Sequence, residues 1–308
     1  MRPWLWPAAD LSMEAFHSFW SAPNSCRNQG EIIFPDYEQL TAILSALEWR
    51  RHSGTIRMVT DRAGAAYFRE KGLTTFWNET EETLDSLNDA VDPVAFWAAG
   101  KLAALKTRKT PCVMLDTDLI VWENVERKLT ADVVAAHAEG LNPRTYPEPS
   151  AFRMKNGYRF PENWDFSIRP ANTAFLYIRN TEFRDAYVEA VFRFLEHVET
   201  EGLTPVQTMC FAEQRILPMC AAAEAQTMSY LMEMGEVFRQ NYMTHTWGFK
   251  NILRHSRQAR EDFCTRCAMR IFRDFPEEAE KLISCPDLRN YYLHALRAAS
   301  AQGQPGEA

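Results

Sequence analysis

Pro111-Cys112-Val113-Met114-Leu115-Asp116-Thr117-Asp118-Leu119-Ile120-Val121-Trp122 sets two carboxylates one residue apart inside an apolar run. Val113, Met114 and Leu115 read as a strand buried on both faces, the kind found in parallel sheets. A buried charge without a partner is costly, so two neighbouring ones call for a reason. In open α/β sheets, ligands bind at the carboxyl ends of the strands. Paired oxygen ligands at such a place suit a hard divalent cation, Mg²⁺ or Mn²⁺, which also takes substrate phosphates. The competing reading is a strand that ends at Leu115 and leaves two solvated turn aspartates. The return of apolar residues at 119–121 encloses the pair and favours the metal.

Working outward, the chain alternates strands and helices. Residues 16–20 read as a first strand, 37–51 as a helix with an apolar stripe at Leu40, Ile43, Leu44 and Leu47, and 55–60 as a strand ending at Asp61. A helix over 63–71 stops at Gly72, and 73–77 reads as a short edge strand. Residues 79–92 are acidic and polar, a surface helix or loop. Pro93 opens a helix to about residue 109. Further strands are expected at 131–137 and 172–178, and helices at 182–200 and 206–220. This alternation predicts an α/β, doubly wound, mostly parallel sheet. Between 138 and 171, prolines are interleaved with Tyr158, Trp164 and other aromatics in a loop long enough to be functional. Residues 242–250 form a compact aromatic and polar cluster, and 251–300 look helical. The expected organisation is a catalytic domain at 1–251, a helical extension at 252–300 and a disordered tail at 301–308.

The 308 residues carry a net charge of -7, which argues against a nucleic-acid surface but not against a local basic pocket. Seven cysteines are scattered, and the Cys264-x-x-Cys267 pair lacks a second pair at zinc spacing, so a reducing cytoplasm is the natural location. Residues 1–9 lack the long apolar core of a signal peptide. No run approaches the length of a membrane span, although peripheral membrane contact stays open.

The order of these features resembles the GT-A fold glycosyltransferases, and within them the bacterial, largely uncharacterised proteins that carry an Asp-x-Asp. The resemblance rests on the strand closing in Thr60-Asp61, a Lys101-bearing helix, Asp116-Thr117-Asp118, the Asn172-led strand and a late His245-x-x-Gly248-x-Lys250. It covers roughly residues 16–251. The family's retaining members commonly end His-x-x-Gly-x-x-Lys-Pro-Trp, whereas Lys250 here comes one residue earlier.

The resemblance implies a GT-A-like, Rossmann-like fold and a metal-dependent transfer of sugar from a nucleotide sugar, a UDP-sugar first, to an unknown glycan, lipid or protein. Asp118 is then a metal ligand, Asp116 a ligand of metal or ribose with a share in catalysis, and His245 the third ligand. Lys250 and Lys101 reach the phosphates, with solvated surface lysines as the competing reading. Thr60 and Asp61 contact base or ribose, though a helix N-cap explains Asp61 equally well. Asn172 contacts a sugar, or simply forms a turn. Glu213 is the candidate general base, with Asp165 behind it. Trp164 and Tyr158 either stack on an acceptor sugar or pin their loop to the core. Two rivals stand: a non-catalytic nucleotide-sugar binder of the same fold, and a haloacid-dehalogenase-type phosphatase. For the phosphatase, Leu119 stands where a Gly is expected.

Overall fold

The computed structural model describes residues 13–237 and 239–302. The strands are β1 (Glu14–Phe19), β2 (Ile56–Thr60), β3 (Glu79–Glu82), β4 (Cys112–Leu115), β5 (Leu119–Val121), β6 (Val133–Ala138), β7 (Ala171–Ile178), β8 (Met228–Tyr230) and β9 (Met243–His245). Seven of them form one sheet in the order β3-β2-β1-β4-β7-β6-β8, while β5 and β9 pair separately. In the large sheet only β7 runs against its neighbours, β4 and β6, and every other pairing is parallel. The mostly parallel, helix-flanked sheet of a GT-A-like fold is therefore present.

The helices are α1 (Ser21–Arg27), α2 (Asp36–His52), α3 (Arg62–Glu70), α4 (Ala99–Lys106), α5 (Thr181–His197), α6 (Pro205–Cys210), α7 (Ile216–Ala223), α8 (Lys250–His255), α9 (Arg257–Asp274), α10 (Pro276–Ala279) and α11 (Arg289–Gln302). Period-two alternation along β4 divides the core in two. Val113 and Leu115 pack with α2 and α9, whereas Cys112 and Met114 pack with α4, α5 and α7. Burial on both faces is why the strand reads as an unbroken apolar run.

The C-terminal helices are present and lie on α2. Tyr291 Oη donates to Asp36 Oδ2 at 2.7 Å and Gln39 Nε2 to Asp287 Oδ2 at 2.9 Å. Helix α8 crosses position 251, and of the expected tail residues 303–308 lie outside the described residues. Among the described residues no helix is long and apolar enough to cross a membrane.

Two local expectations fail at the sheet edge. Residues 73–77 contain a 3-10 turn, Thr74–Phe76, not a strand, and the edge strand is the acidic β3. Glutamates are poor strand formers. Here they are held by cations: Arg57 Nη1 reaches Glu79 at 2.6 Å and Glu81 at 2.7 Å, and Arg69 Nη1 reaches Glu82 at 2.6 Å. Arg108 also pairs with Glu81. A charged edge additionally resists pairing with another chain. The helix expected from Pro93 starts only at Ala99.

A buried polar chain ties β1 to the aspartate turn. Trp77 Nε1 donates to His17 Nδ1 at 3.0 Å, which leaves His17 Nε2 to donate to Ser45 Oγ at 3.0 Å. Ser45 Oγ in turn donates to the Leu119 carbonyl at 2.5 Å. Burial pushes the His17 imidazole down to about 3, against a smaller opposing pull from Asp118. Since the folded value lies below the unfolded one, His17 contributes stability above pH 6.5 that is lost as pH falls towards 3. Urea midpoints from pH 7 to pH 4 should therefore fall more steeply in the wild type than in His17→Gln, by up to about 1.4 kcal/mol per pH unit. Parallel curves would show that His17 is protonated without cost.

Candidate active site

The turn after β4 carries both aspartates and is fixed by backbone bonds. Asp116 N–H donates to the Ala174 carbonyl at 2.8 Å, Leu119 N–H to the Asp116 carbonyl at 3.0 Å, and Thr246 N–H to the Asp118 carbonyl at 3.0 Å. The last bond continues the β5–β9 ladder, in which Leu119 lies opposite His245. A contact across more than a hundred residues of chain thus sets His245 beside Asp118.

Among the described residues, Asp116, Asp118 and His245 form the one group of three such side chains whose ligand atoms all lie within 4.8 Å of one another. His245 Nε2 and Asp118 Oδ1 are 3.5 Å apart. That is long for a hydrogen bond, but close to the separation of about 3 Å between two ligands at right angles on one ion with bonds of about 2.1 Å. Two carboxylates suit a hard divalent cation and the imidazole a transition metal, so the donor set fits Mn²⁺ better than Mg²⁺.

Two lysines complete the charge pattern. Lys250 Nζ lies 3.0 Å from Asp118 Oδ2, and Lys101 Nζ lies 2.6 Å from both Asp116 Oδ1 and Glu213 Oε1. Burial alone would raise the Asp118 carboxyl, but Lys250 and His245 outweigh it and hold the group well below the usual carboxylate range. Burial would likewise lower both ammonium groups. Asp116 and Glu213 overcome it at Lys101, and Asp118 and Glu38 at Lys250, so both are raised. Asp118, Lys101 and Lys250 are therefore charged at neutral pH.

Asp116, Asp118, Lys101 and Lys250 open onto a cavity of about 790 Å³ at the carboxyl ends of β1 and β4. Ser18, Phe19 and Trp20 line one wall, with Tyr37 and Glu38 of α2 and Trp97 beyond. Five cations, Arg27, Lys101, Lys250, Arg254 and Arg260, face three carboxylates, Glu38, Asp116 and Asp118. The cavity is thus cationic in a chain of net charge -7. Arg254 and Arg260 come from α8 and α9, within the stretch read as an extension. Their helical spacing looks like any solvated face, so the sequence offered no signal for them. Phe19 and Trp20 had one, since a strand's carboxyl end was where a ligand belonged.

Other expected residues stand elsewhere. Thr60 Oγ1 donates to the Phe19 carbonyl at 2.5 Å, and Asp61 caps α3 through Gly64 N–H at 2.8 Å while accepting from Ser21 Oγ at 2.7 Å. Neither lines the cavity; both hold the segment that does. Asn172 donates to Glu139 Oε1 at 3.1 Å and accepts from Ala174 N–H, and it too lies off the cavity. Glu213 is 1% exposed on a π-helical turn, Phe211–Arg215, with Thr173 Oγ1 donating to its Oε1 at 2.6 Å. Such turns redirect side chains inward. Buried beneath Lys101, Glu213 positions that lysine and meets no open cavity. Asp165 accepts from Ser167. Trp164 packs on Phe160 and Phe166, and Tyr158 stacks on His197 at 5.0 Å, so both aromatics pin their loop to the core.

No curated protein matches the sequence. Solved structures that align with it include mouse xyloside xylosyltransferase 1 in its apo form, at 11% identity and a TM-score of 0.39 over 71% of this chain and 84% of that one. Another is the glycosyltransferase GlyE of Streptococcus pneumoniae TIGR4, at 13% identity and a TM-score of 0.36 over 78% of this chain. The alignment spans half of the GlyE chain. A third is the galactosyltransferase LgtC with donor and acceptor sugar analogues, at 11% identity and 0.37 over 71% of this chain and 73% of that one. At such distances the site rests on this chain's own geometry. A family model matches residues 13–285, and the chain accordingly belongs to that family of unknown function, DUF6734.

Proposed function

We propose that the protein is a metal-dependent glycosyltransferase that takes a nucleotide sugar, a UDP-sugar with Mn²⁺ or Mg²⁺ first among them, and passes the sugar to an acceptor. The reading is carried by Asp116 and Asp118 at the wall of a cationic cavity at the carboxyl end of the central strand, with His245 gathered beside them. A cation bound there would supply Lewis-acid neutralisation of the diphosphate leaving group.

The chain's own residues have separable tasks in this proposal. Asp116, Asp118 and His245 are the ligands. Lys101 and Lys250 place two fixed ammonium charges beside them, where developing negative charge on the leaving group is stabilised without reorganisation. Glu213 and Thr173 hold Lys101 in position. Arg27, Arg254 and Arg260 attract the anionic donor, and the aromatic wall of Phe19, Trp20 and Trp97 excludes water and offers rings for a base. Thr60 and Asp61 support that wall from behind, and Asn172 with Glu139 braces the start of β7. The seven free cysteines accord with a reducing cytoplasm, which we include in the proposal.

The test is calorimetric titration of UDP with Mn²⁺, with EDTA, and then with a panel of UDP-sugars followed for slow hydrolysis. UDP should bind only with the metal. Failure of UDP and of GDP and the other nucleoside diphosphates in every condition would sink the reading. Hydrolysis of phosphomonoesters without a nucleotide would favour the phosphatase. Metal-dependent binding with no transfer to any acceptor would favour a non-catalytic binder.

A further inference from the structure

Behind His245 lies a second cavity, of about 510 Å³. It is within the size range of small-molecule sites. The β5–β9 ribbon lines the second cavity through Leu119, Met243, Thr244 and His245, and Asp118, the residue before Leu119, lines the first. His245 belongs to both environments, with Nε2 towards Asp118 and its ring on the second cavity.

Their chemistry is opposite. Among the described residues no Lys, Arg, Asp or Glu lines the second cavity, whereas Leu119, Met232, Met243, Trp247 and Phe249 do. Trp247 is 52% exposed, an indole of that size left without a protein partner on much of its surface. Its remaining polar groups are mostly engaged: Gln240 bonds Met243 through both ends of its amide, and Thr244 Oγ1 accepts from Trp122.

The exception is His137. A bulge interrupts the β6–β7 register between Ala135 and His137. In a regular strand Ala136 and His137 would face opposite sides, yet both line this cavity. Bulges re-aim side chains in this way beside functional sites. His137 is 3% exposed, and its Nδ1 has no hydrogen-bond partner, with the nearest carboxylate oxygen, Glu139 Oε1, at 3.7 Å. A buried nitrogen left unpaired is costly, so a small turn of the ring that brings it to a hydroxyl on a bound ligand is favoured.

We propose that this second cavity binds the neutral, apolar aglycone of the acceptor, a glycoside whose hydroxyls meet His137 and His245 and whose aromatic group rests on Trp247 and the methionine wall. The word acceptor rests on the glycosyltransferase reading; the ligand class rests on the cavity alone.

The full-length chain is titrated by calorimetry with phenyl β-glucoside and methyl β-glucoside, which share a sugar and differ in the aglycone. The phenyl compound should bind about tenfold tighter or more. Trp247→Ala should remove most of that preference. Gly248→Phe should abolish phenyl glucoside binding with the melting temperature unchanged, because a side chain built at Gly248 meets open space. Equal affinities in the wild type, or a preference that survives both substitutions, would overturn the proposal. Metal-dependent UDP binding is measured on the same wild-type sample. If UDP binds and no phenyl preference exists, only this inference falls. If the preference exists and no nucleotide binds, the cavity's ligand class stands and the glycosyltransferase reading falls.

Discussion

Asp118→Ala should lower affinity for UDP in the presence of Mn²⁺ by at least about 100-fold, and turnover of the productive nucleotide sugar by about 10³-fold, equivalent to roughly 4 kcal/mol. The reason lies in how many groups meet at this one carboxylate. It faces His245 on one oxygen and Lys250 on the other, and its backbone carbonyl anchors Thr246 just past the end of β9. Asp118→Asn separates charge from shape. It retains the backbone anchor and the side-chain volume and removes the anion, so it should lose metal-dependent binding nearly as fully as alanine. Calorimetry with and without EDTA checks both. If EDTA weakens the wild type and leaves Asp118→Asn unchanged at the same reduced affinity, the carboxylate acts through the metal. Equal UDP affinity in all four samples would remove the metal from the site.

Lys101→Met should destabilise the protein by about 3–5 kcal/mol, because it strands Glu213 as a buried charge. Lys101 Nζ bridges Asp116 and Glu213 at 2.6 Å each, and Glu213 keeps only the Thr173 hydroxyl as a side-chain partner once the ammonium is gone. Asp116 fares better, since its side chain is 24% exposed and water can solvate it. Glu213→Gln removes the same charge from the other side, and the pair Lys101→Met/Glu213→Gln should recover much of the loss. Urea denaturation of the two single variants and the double variant closes the cycle. A coupling near zero would mean that the ion pair contributes nothing, and Glu213 would then not be what places Lys101. The activity of Glu213→Gln is informative in parallel. As a positioning residue it should lower turnover while nucleotide affinity in Mn²⁺ changes less, and Lys101→Met should lower both.

The central strand and the two aspartates were legible in local sequence because each depends on short-range pattern, whereas the GT-A-like class rested on a resemblance in the order of features over residues 16–251. An apolar run that stops at a carboxylate pair has few readings in an α/β chain. Lys101 was noticed as a residue that could reach the site, with a surface lysine as the competing reading, and its pairing with Asp116 and Glu213 appears only in the fold. The charged edge strand β3 was not, because its glutamates disfavour a strand in isolation and are stabilised by Arg57, Arg69 and Arg108 from other elements. Asp61 was legible as a helix N-cap, the reading that stood beside a ligand contact, whereas Glu213 was noticed without the lysine it lies beneath.

By itself the sequence determined the alternation of strands and helices, the enclosed Asp116 and Asp118, and the lysines and histidine able to join them. Only the tertiary structure decided which partners they met. The β5–β9 ladder brought His245 and Lys250 to Asp118, the packing of α8 and α9 brought Arg254 and Arg260 to the cationic cavity, and a two-residue register shift between β6 and β7 accompanies His137 in the apolar one. The physical reason is one of range. Backbone propensity and burial pattern act over a few residues and are written in order along the chain, whereas a site is assembled from charges whose proximity exists only after the chain has folded.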